Sequence, residues 1–228
     1  MSRVDAAMFE GCGLDVLQVM EVAGRSVAAF IRQEEPWPLT RPLRITALCG
    51  PGGNGGDGLV AARYLHGWGA DVDIVLAVAI DENTIAGHQL DIARRLGISV
   101  MDRPASTIRS QKQPDLIVDA LLDFSGRGDP RGNFAGLIRW ANGQAASIVA
   151  IDLPSGLDGR TGEIADPCIS AAVTVTLGLP KTGLLNEMSR PQVGKLVVAD
   201  IGIPTVAYEV AGVIPPAIRW EGDWIALM

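Results

Sequence analysis

The apolar positions of this chain follow two patterns that alternate along most of its length. In residues 14–33, Leu17, Met20, Val27 and Phe30 recur near helical spacing, which predicts an amphipathic helix. Further helices are indicated at 57–66, 84–96 and 132–142. Short apolar runs, which are typical of buried strands, lie at 44–50, 71–78, 98–101, 115–122, 147–154, 171–179 and 194–202. We therefore expect strands and helices to alternate.

Strands that are apolar throughout and alternate with helices are typical of a parallel sheet that helices cover on both sides. No linker, low-complexity segment or internal repeat divides the chain, so we predict a single domain over residues 1–228. Its fold class is α/β, a three-layer α/β/α sandwich with a mostly parallel central sheet. The helix at 14–33 precedes a core at 43–204, and we expect an irregular tail at 205–228.

The charge of the chain restricts its partners. Its 228 residues include 19 Lys and Arg against 26 Asp and Glu, which gives a net charge of −7. An acidic surface argues against nucleic acid or an anionic membrane as the main partner, because both require clustered basic residues. A small anionic ligand that is held by backbone amides is compatible with this charge.

Cysteine and histidine are scarce. The three scattered cysteines, Cys12, Cys49 and Cys168, are too few for a disulfide framework or a CxxC metal site, and the first residues show no signal-peptide pattern. This use of cysteine indicates a reducing compartment, so we expect a cytoplasmic protein. No stretch of about 18 apolar residues occurs, so we expect no membrane span. With only two histidines, a metal site of several histidines is excluded and proton transfer falls to carboxylates.

Six glycines occur within nine positions after the first predicted strand, in residues 50–58. Glycine lets a ligand approach the main chain closely, and the amino end of the helix that follows would favour a phosphate. The segment is not a Walker A motif, because no Lys-Ser or Lys-Thr pair follows it. A GxGxxG pattern is present at Gly50, Gly52 and Gly55, but no acidic residue closes the second strand. Alternatively, Asp57 caps the helix and the glycines form a plain connection.

A carboxylate and a polar loop mark the fourth predicted strand. Asp119 lies within an apolar run, where an isolated carboxylate is costly unless it is paired, hydrogen-bonded or bound to a cation. The loop at 123–132 carries glycines and two arginines, a composition that suits phosphate. Arg127 and Arg131 could equally be solvated surface residues.

Asp152 closes the next apolar strand, and Ser155 lies at the apex of the tight turn that follows. In a doubly wound sheet, ligands bind outside the carboxyl ends of the strands. Asn54 and Asp119 should reach the same edge of the sheet. Amide, hydroxyl and carboxylate oxygens suit Na⁺, K⁺, Mg²⁺ or Ca²⁺, and a single carboxylate among neutral oxygens favours a cation of low charge.

A hydrolase nucleophile is another chemical role open to Ser155. The GxSxG elbow is absent because Leu153 replaces its first glycine, and both histidines, His66 and His88, precede the serine. We therefore do not expect a Ser–His–Asp hydrolase. A plain turn residue is the remaining alternative for Ser155.

Five motifs give the chain a resemblance to a known family. They are CGPGGNGGDGLVAARYL, IVDALLDFSGRGDPRG, AIDLPSGLDGRTG, TVTLGLPKTGL and GKLVVADIGIP. Their order and spacing resemble those of the NAD(P)H-hydrate epimerase family, also called the YjeF N-terminal domain or apolipoprotein A-I-binding protein family, over about residues 14–204. The resemblance implies a Rossmann-like fold and interconversion of the R and S epimers of hydrated NADH or NADPH. It also implies one bound K⁺, a separate dehydratase that uses the S epimer, and a homodimer.

The resemblance assigns roles to individual residues. The K⁺ ligands would be Asn54, Asp119 and Ser155. Substrate contacts would come from Gly53, Asn54, Gly55, Gly56, Asp57, Asp123, Phe124, Ser125, Gly126, Arg127, Arg131 and Asp152. Inversion of the hydroxyl-bearing ring carbon, by loss of the hydroxyl or by ring opening, requires proton transfer. We expect Asp152 to be the acid–base group, with Asp57 as the second candidate.

Two positions depart from the family pattern. Gly53 stands where the family often has asparagine, and Asp123 stands where it often has glycine. A carboxylate beside a phosphate-binding loop repels a diphosphate unless it points away. The alternative function is therefore a non-catalytic module of the same fold that binds a nucleotide or an ADP-ribose-type ligand.

Overall fold

The computed structural model describes residues 2–35, 37–38, 40–102, 113–124, 128–214 and 222–227. Its helices are α1 (Ser2–Ala6), α2 (Val16–Glu34), α3 (Gly53–Gly67), α4 (Ile85–Arg95), α5 (Gly132–Asn142), α6 (Arg190–Val193) and α7 (Thr205–Val210). A π-helical turn covers Ala7–Gly11, and 3₁₀ turns cover Thr182–Leu185 and Glu187–Ser189. The strands are β1 (Arg44–Cys49), β2 (Asp71–Leu76), β3 (Ser99–Met101), β4 (Leu116–Ala120), β5 (Ser147–Ile151), β6 (Val173–Leu177), β7 (Lys195–Ala199) and β8 (Trp224–Ala226).

These strands form one sheet in the order β3-β2-β1-β4-β5-β6-β7-β8. Neighbouring strands from β3 to β7 run parallel, and β8 pairs antiparallel with β7. The predicted α/β fold with a mostly parallel sheet is thereby confirmed. The strand order reverses at β1, which pairs with both β2 and β4. The segments that follow β1 and β4 therefore lie side by side, where doubly wound sheets bind ligands.

Helices cover both faces of the sheet and give it two apolar cores. Side chains alternate along β1, so that Ile45 and Ala47 belong to the core beneath α2, α3 and α4, whereas Leu48 belongs to the core beneath α5. Phe30 of α2 and Leu137 of α5 are fully buried in these two cores. The three layers predicted from the apolar runs are present.

The first long helix is close to its predicted range of 14–33 and is well capped. Asp15 is the residue before α2, and its carboxylate accepts a hydrogen bond from the Leu17 amide at 2.7 Å. The Gln18 side chain accepts in return from the Asp15 amide at 2.9 Å. This capping box satisfies backbone donors that the first turn of a helix leaves without partners.

The expectation of an irregular tail after residue 204 is wrong, because the described part of the tail contains α7 and β8. Ala207 and Tyr208 of α7 are buried against Val4 and Met8 of the N-terminal segment. The side chain of Trp224 in β8 packs edge-on against a phenylalanine of α2, with ring centroids 5.1 Å apart. Both elements are short, and their stability comes from these tertiary contacts rather than from a sequence pattern of their own.

None of the helices in the described ranges is long and apolar enough to cross a bilayer. Cys12, Cys49 and Cys168 are all unpaired. Cys49 is buried at the end of β1, where burial raises the pKa of its thiol to about 12. This thiol is therefore protonated at neutral pH and unreactive.

An ion pair joins the chain before β1 to the start of β4. The carboxylate of Asp115 accepts from Arg41 Nη2 at 2.7 Å and from the backbone amide of Arg44 at 2.9 Å. The side-chain hydrogen bonds from Arg41 lower the pKa of Asp115 from 3.8 to about 2.

We expect Asp115→Asn to lower the free energy of unfolding near neutral pH and to lose this effect in acid. The folded pKa lies below the unfolded one, so the carboxylate stabilises the fold above about pH 4 and ceases to do so as the pH falls towards 2. Urea unfolding of the wild type and the variant between about pH 6 and pH 2.5 measures the difference. Asp91→Asn, in the exposed Asp91–Arg95 pair of α4, is the control and should change little at any pH. A difference for Asp115→Asn that does not depend on pH would contradict the assignment.

Candidate active site

The glycine-rich segment after β1 is the first turn of a helix rather than a loop. α3 begins at Gly53 with Gly52 as its N-cap, whereas the sequence predicted a helix from Asp57. Asp57 lies inside α3 and is buried, so the alternative that it caps the helix is wrong. Gly52 supplies no side chain to cap the helix, which leaves backbone amides at this end for a ligand.

Close backbone contact explains why glycine occupies two of these positions. A Cβ atom on Gly50 would lie 1.9 Å from the carbonyl oxygen of Leu121, and a Cβ atom on Gly55 would lie 1.9 Å from the carbonyl oxygen of Gly50. The end of β1, the start of α3 and the segment after β4 therefore touch through their main chains. By contrast, a Cβ atom on Gly53 would meet nothing within 4 Å.

Asp119 and Ser155 form the centre of the polar contacts at this edge. Asp119 is fully buried on β4, and its carboxylate accepts from Ser155 Oγ at 2.7 Å and from the Ser155 amide at 2.8 Å. Burial raises the pKa of Asp119 to about 6, while the hydrogen bonds from Ser155 and Leu121 hold it down. Ser155 is itself fully buried and bound to a carboxylate, which does not suit a nucleophile that attacks an incoming substrate.

Asn54 lies beside this pair, and one of its polar atoms has no partner. Its Nδ2 donates to the carbonyl oxygen of Leu122 at 2.8 Å, and the Leu122 amide donates to Ser155 Oγ at 3.0 Å. Asn54 Oδ1 is buried without a hydrogen bond, which is costly in a protein interior. The structure thus brings together the three predicted cation ligands, Asn54, Asp119 and Ser155. A hard cation at this place would satisfy the amide oxygen and offset the buried carboxylate.

Groups of histidine, cysteine and acidic side chains are the other common kind of metal site. Within the described ranges, no three side chains from histidine, cysteine, aspartate and glutamate are grouped as metal ligands. His66 lies at the far end of α3 from the site, and His88 is exposed on α4. Proton transfer at this edge of the sheet therefore falls to other side chains.

Asp152 is held in an unusual backbone conformation at the end of β5. Its φ of 66° is in the left-handed region, which a residue other than glycine adopts at a cost of about 1–3 kcal/mol. Its Oδ1 accepts from the Leu177 amide at 3.0 Å and from Thr176 Oγ1 at 3.2 Å. The same oxygen accepts from the ammonium group of Lys181. The strained turn therefore aims the carboxylate at the end of β6.

Lys181 is a site residue to which the sequence analysis gave no role. It is buried just beyond β6, and its Nζ also donates to the carbonyl oxygen of Leu177 at 3.1 Å. The sequence did contain an indication of this role, because the motif TVTLGLPKTGL places a lysine two residues after the apolar run at 171–179. A buried ammonium group needs a carboxylate partner, and only the fold shows that this partner is Asp152.

Asp57 completes a group that we call the acid–base cluster, formed by Asp57, Asp152 and Lys181. Burial raises the pKa of Asp57 well above 3.8, and the charge of Asp152 raises it further, while Lys181 opposes both. The cluster therefore combines two features. The raised pKa of Asp57 favours its protonated form, and Asp152 and Lys181 form an ion pair. A buried carboxyl group with a raised pKa, next to an ion pair at the carboxyl ends of the strands, is suited to general acid–base catalysis.

The other predicted substrate contacts lie around the loop after β4, of which Ser125, Gly126 and Arg127 are outside the described residues. Asp123 and Arg131 line a cavity of 260 Å³ between this loop and the turn after β5. Phe124 is partly exposed beside the turn after β5. The acid–base cluster does not line this cavity.

The carboxylate of Asp123 lies at the amino end of α3. A Cβ atom on Gly52 would be 2.8 Å from Asp123 Oδ2. The positive end of the helix dipole favours this carboxylate. A phosphate that used the same end of α3 would have to share it with Asp123.

The sequence of this chain is similar to those of known proteins. A sequence profile of the family described as YjeF-related protein N-terminus matches residues 16–183. This chain belongs to that family.

Relatives within the YjeF-related family carry informative names. A protein named NAD(P)H-hydrate epimerase from Dehalogenimonas lykanthroporepellens is 34% identical, covering 93% of this chain and 83% of that protein. A Bifunctional NAD(P)H-hydrate repair enzyme Nnr from Hyperthermus butylicus is 39% identical over 91% of this chain. The chain spans 39% of the length of that bifunctional relative and 43% of another from Salinibacter ruber.

The fold also matches a solved structure over nearly its whole length. The crystal structure of the yeast protein ynu0 (YNL200c) superposes with a TM-score of 0.84 at 26% sequence identity. The match covers 99% of this chain and 96% of the yeast chain. The described architecture is therefore similar to that of the yeast protein from end to end.

We expect Gly55→Ala to destabilise this YjeF-related chain strongly, because its Cβ atom would collide with the backbone of Gly50. A loss of at least about 3 kcal/mol is expected, as in severe overpacking. Gly53→Ala, two residues earlier on the same helix, meets open space and should gain up to about 1 kcal/mol from helix propensity. Urea unfolding of both variants measures the contrast. Equal changes in the free energy of unfolding for the two variants would show that Gly55 is not in close contact with the backbone of Gly50.

Proposed function

We propose that this chain is an NAD(P)H-hydrate epimerase that interconverts the R and S epimers of hydrated NADH and NADPH. The observation that carries the proposal is the acid–base cluster at the ligand-binding edge of the sheet. It occurs in a chain whose relative from Dehalogenimonas, matched over most of both lengths, is named for this activity. The reaction is an isomerisation that needs proton transfer and no oxidant.

The acid–base cluster can supply the proton chemistry of the inversion. In the route through hydroxyl loss, a proton passes from the cluster to the leaving oxygen as the C–O bond breaks, giving water and a cationic ring. Water then adds to the opposite face and returns a proton to the cluster. Asp152 is our first candidate for the acid–base group and Asp57 the second, and Lys181 is the proton-bearing partner of Asp152.

A K⁺ ion bound by Asn54, Asp119 and Ser155 is the proposed cofactor. The buried Asn54 Oδ1 without a partner and the buried carboxylate of Asp119 support it. The ion would supply positive charge that orients a phosphate-bearing ligand near α3. Asn54 and Ser155 would hold their oxygens in place through the bonds that they already make to the loop after β4.

The diphosphate of the ligand would lie at the start of α3. Backbone amides of this turn and the Arg131 side chain supply the positive partners, which explains how an acidic protein would bind an anionic dinucleotide. A Cβ atom on Gly53 would meet nothing within 4 Å, so this position of the turn leaves room for the ligand.

The second candidate is a module that binds a nucleotide or an ADP-ribose-type ligand without converting it. The position of Asp123 favours it, because its carboxylate lies where a phosphate would approach α3. The intact Asp152–Lys181 pair favours the enzyme. The assay of epimer exchange below separates the two functions.

The proposed partner is a dehydratase that consumes the S epimer. Support comes from relatives that are named bifunctional repair enzymes and are more than twice as long as this chain. A homodimer and a cytoplasmic location remain predictions from the family resemblance. A monomer in equilibrium sedimentation at micromolar concentration would contradict the dimer.

We expect Asp152→Asn to reduce epimer exchange at least about 100-fold without unfolding the protein, because the amide cannot take up the proton. Lys181→Met should cause a similar loss. Lys195→Met, which removes an exposed lysine of β7, is the control and should retain activity. NMR of R-to-S exchange on hydrated NADH measures the rates, with circular dichroism to verify the fold. Near-normal exchange by Asp152→Asn refutes its role.

We expect K⁺ to raise the melting temperature of the wild type more than an equal concentration of choline, because a bound ion stabilises the folded state. Asn54→Leu, which removes the amide oxygen, should abolish this difference. Asn83→Leu, at an exposed position before α4, is the matched control and should keep it. An unchanged K⁺ effect in Asn54→Leu would disprove the ligand assignment.

A further inference from the structure

The N-terminal segment, residues 2–11, precedes the part of the chain that the family profile matches. It nevertheless packs firmly on the fold. Val4 and Met8 are almost completely buried, and they form an apolar group with Tyr208 of α7. Leu179 packs against the same group. The segment is therefore anchored from both sides of Asp5.

The place where this segment packs is next to the lysine of the acid–base cluster. Leu179 lies two residues before Lys181, and Leu177 supplies the carbonyl oxygen that accepts from Lys181 Nζ at 3.1 Å. The N-terminal segment thus rests on the same short stretch of chain that positions the ammonium group.

Asp5 is the charged residue of this segment that faces inward. It is half-buried, whereas Arg3 and Glu10 are exposed. Burial raises the pKa of Asp5 above 3.8, the charges of the amino terminus and of Lys181 lower it, and the charge of Asp152 raises it. Asp5 therefore lies within electrostatic range of both members of the pair. The charges of Asp152 and Lys181 also act on Asp57 of α3, so Asp5 and Asp57 both lie within electrostatic range of the pair.

We propose that Asp5 is a positioning residue of the active site, a third carboxylate that the N-terminal helix brings to the acid–base cluster. This inference rests on the proposed function. The negative charge of Asp5 attracts the ammonium group of Lys181 and so helps to position it beside Asp152. It also offsets positive charge that develops on the substrate ring when the hydroxyl leaves, and such stabilisation acts mainly in the transition state.

The kinetic test compares Asp5→Asn with the wild type in R-to-S exchange on hydrated NADH. We expect kcat to fall about tenfold while KM changes less than about twofold, because the lost charge acts on the reaction and not on binding. Asp5→Glu should recover most of the rate, since it restores the charge. Glu10→Gln, an exposed acid in the same segment, is the control and should behave like the wild type. Unchanged kcat in Asp5→Asn, or a loss confined to KM or to melting temperature, overturns the proposal.

A second measurement does not depend on activity. In protein labelled with ¹³C-aspartate, the Asp5 carboxyl signal is identified by its loss in Asp5→Asn, and its titration is followed by NMR. Lys181→Met should raise the pKa of Asp5, because a nearby positive charge is removed, and Asp152→Asn should lower it. Glu10→Gln should leave it unchanged.

The two measurements separate the two proposals. Opposite shifts in the lysine and aspartate variants support the place of Asp5 beside the cluster, and the absence of both shifts overturns it. If the wild type fails to exchange the epimers of hydrated NADH and NADPH, the proposed function is wrong. The titration then still decides whether Asp5 belongs to the cluster.

Discussion

The buried carboxylate of Asp119 holds the ends of β4 and β5 together, because a charge without solvent contact must find its hydrogen bonds within the protein. It finds them in the side chain and the backbone amide of Ser155, at 2.7 and 2.8 Å. Ser155 in turn accepts from the Leu122 amide, and the Leu122 carbonyl accepts from Asn54 on α3. One buried charge thus fixes the relative positions of the segments that follow β1, β4 and β5.

The same edge of the sheet also carries the groups that can move protons. The left-handed conformation of Asp152 directs its carboxylate to the end of β6, where Lys181 and Thr176 bind it. The strain of this turn is offset by the bonds that the carboxylate gains. Asp57 lies inside α3, which starts four residues earlier than its apolar pattern indicates, and the charges of the pair act on it there. The proposed cation site and the acid–base cluster therefore share one scaffold without sharing residues.

Alternating apolar runs and helical segments were sufficient to predict the parallel sheet and its two helical layers. The predicted range of α5 agrees with the structure in both of its ends, and α2 and α4 agree within two residues. The start of α3 could not be predicted, because Gly53, Gly55 and Gly56 have poor helix propensity. The close backbone contact between Gly55 and Gly50 appears only in the fold. For α7 and β8, the stabilising partners are distant in sequence, so no local pattern reveals them.

The sequence by itself determined which chemical groups are available to the site. These groups are oxygen ligands, carboxylates and the backbone of one glycine-rich turn, because the two histidines lie away from the predicted strand ends. It also placed Asn54, Asp119, Asp152 and Ser155 at strand ends, because the apolar period marks where each strand stops. Only the tertiary structure decided that Lys181 pairs with Asp152 and that the N-terminal segment packs against Leu179, two residues before that lysine. The physical reason is that burial and charge pairing depend on which distant segments of the chain come into contact. The local pattern of residues does not contain that information.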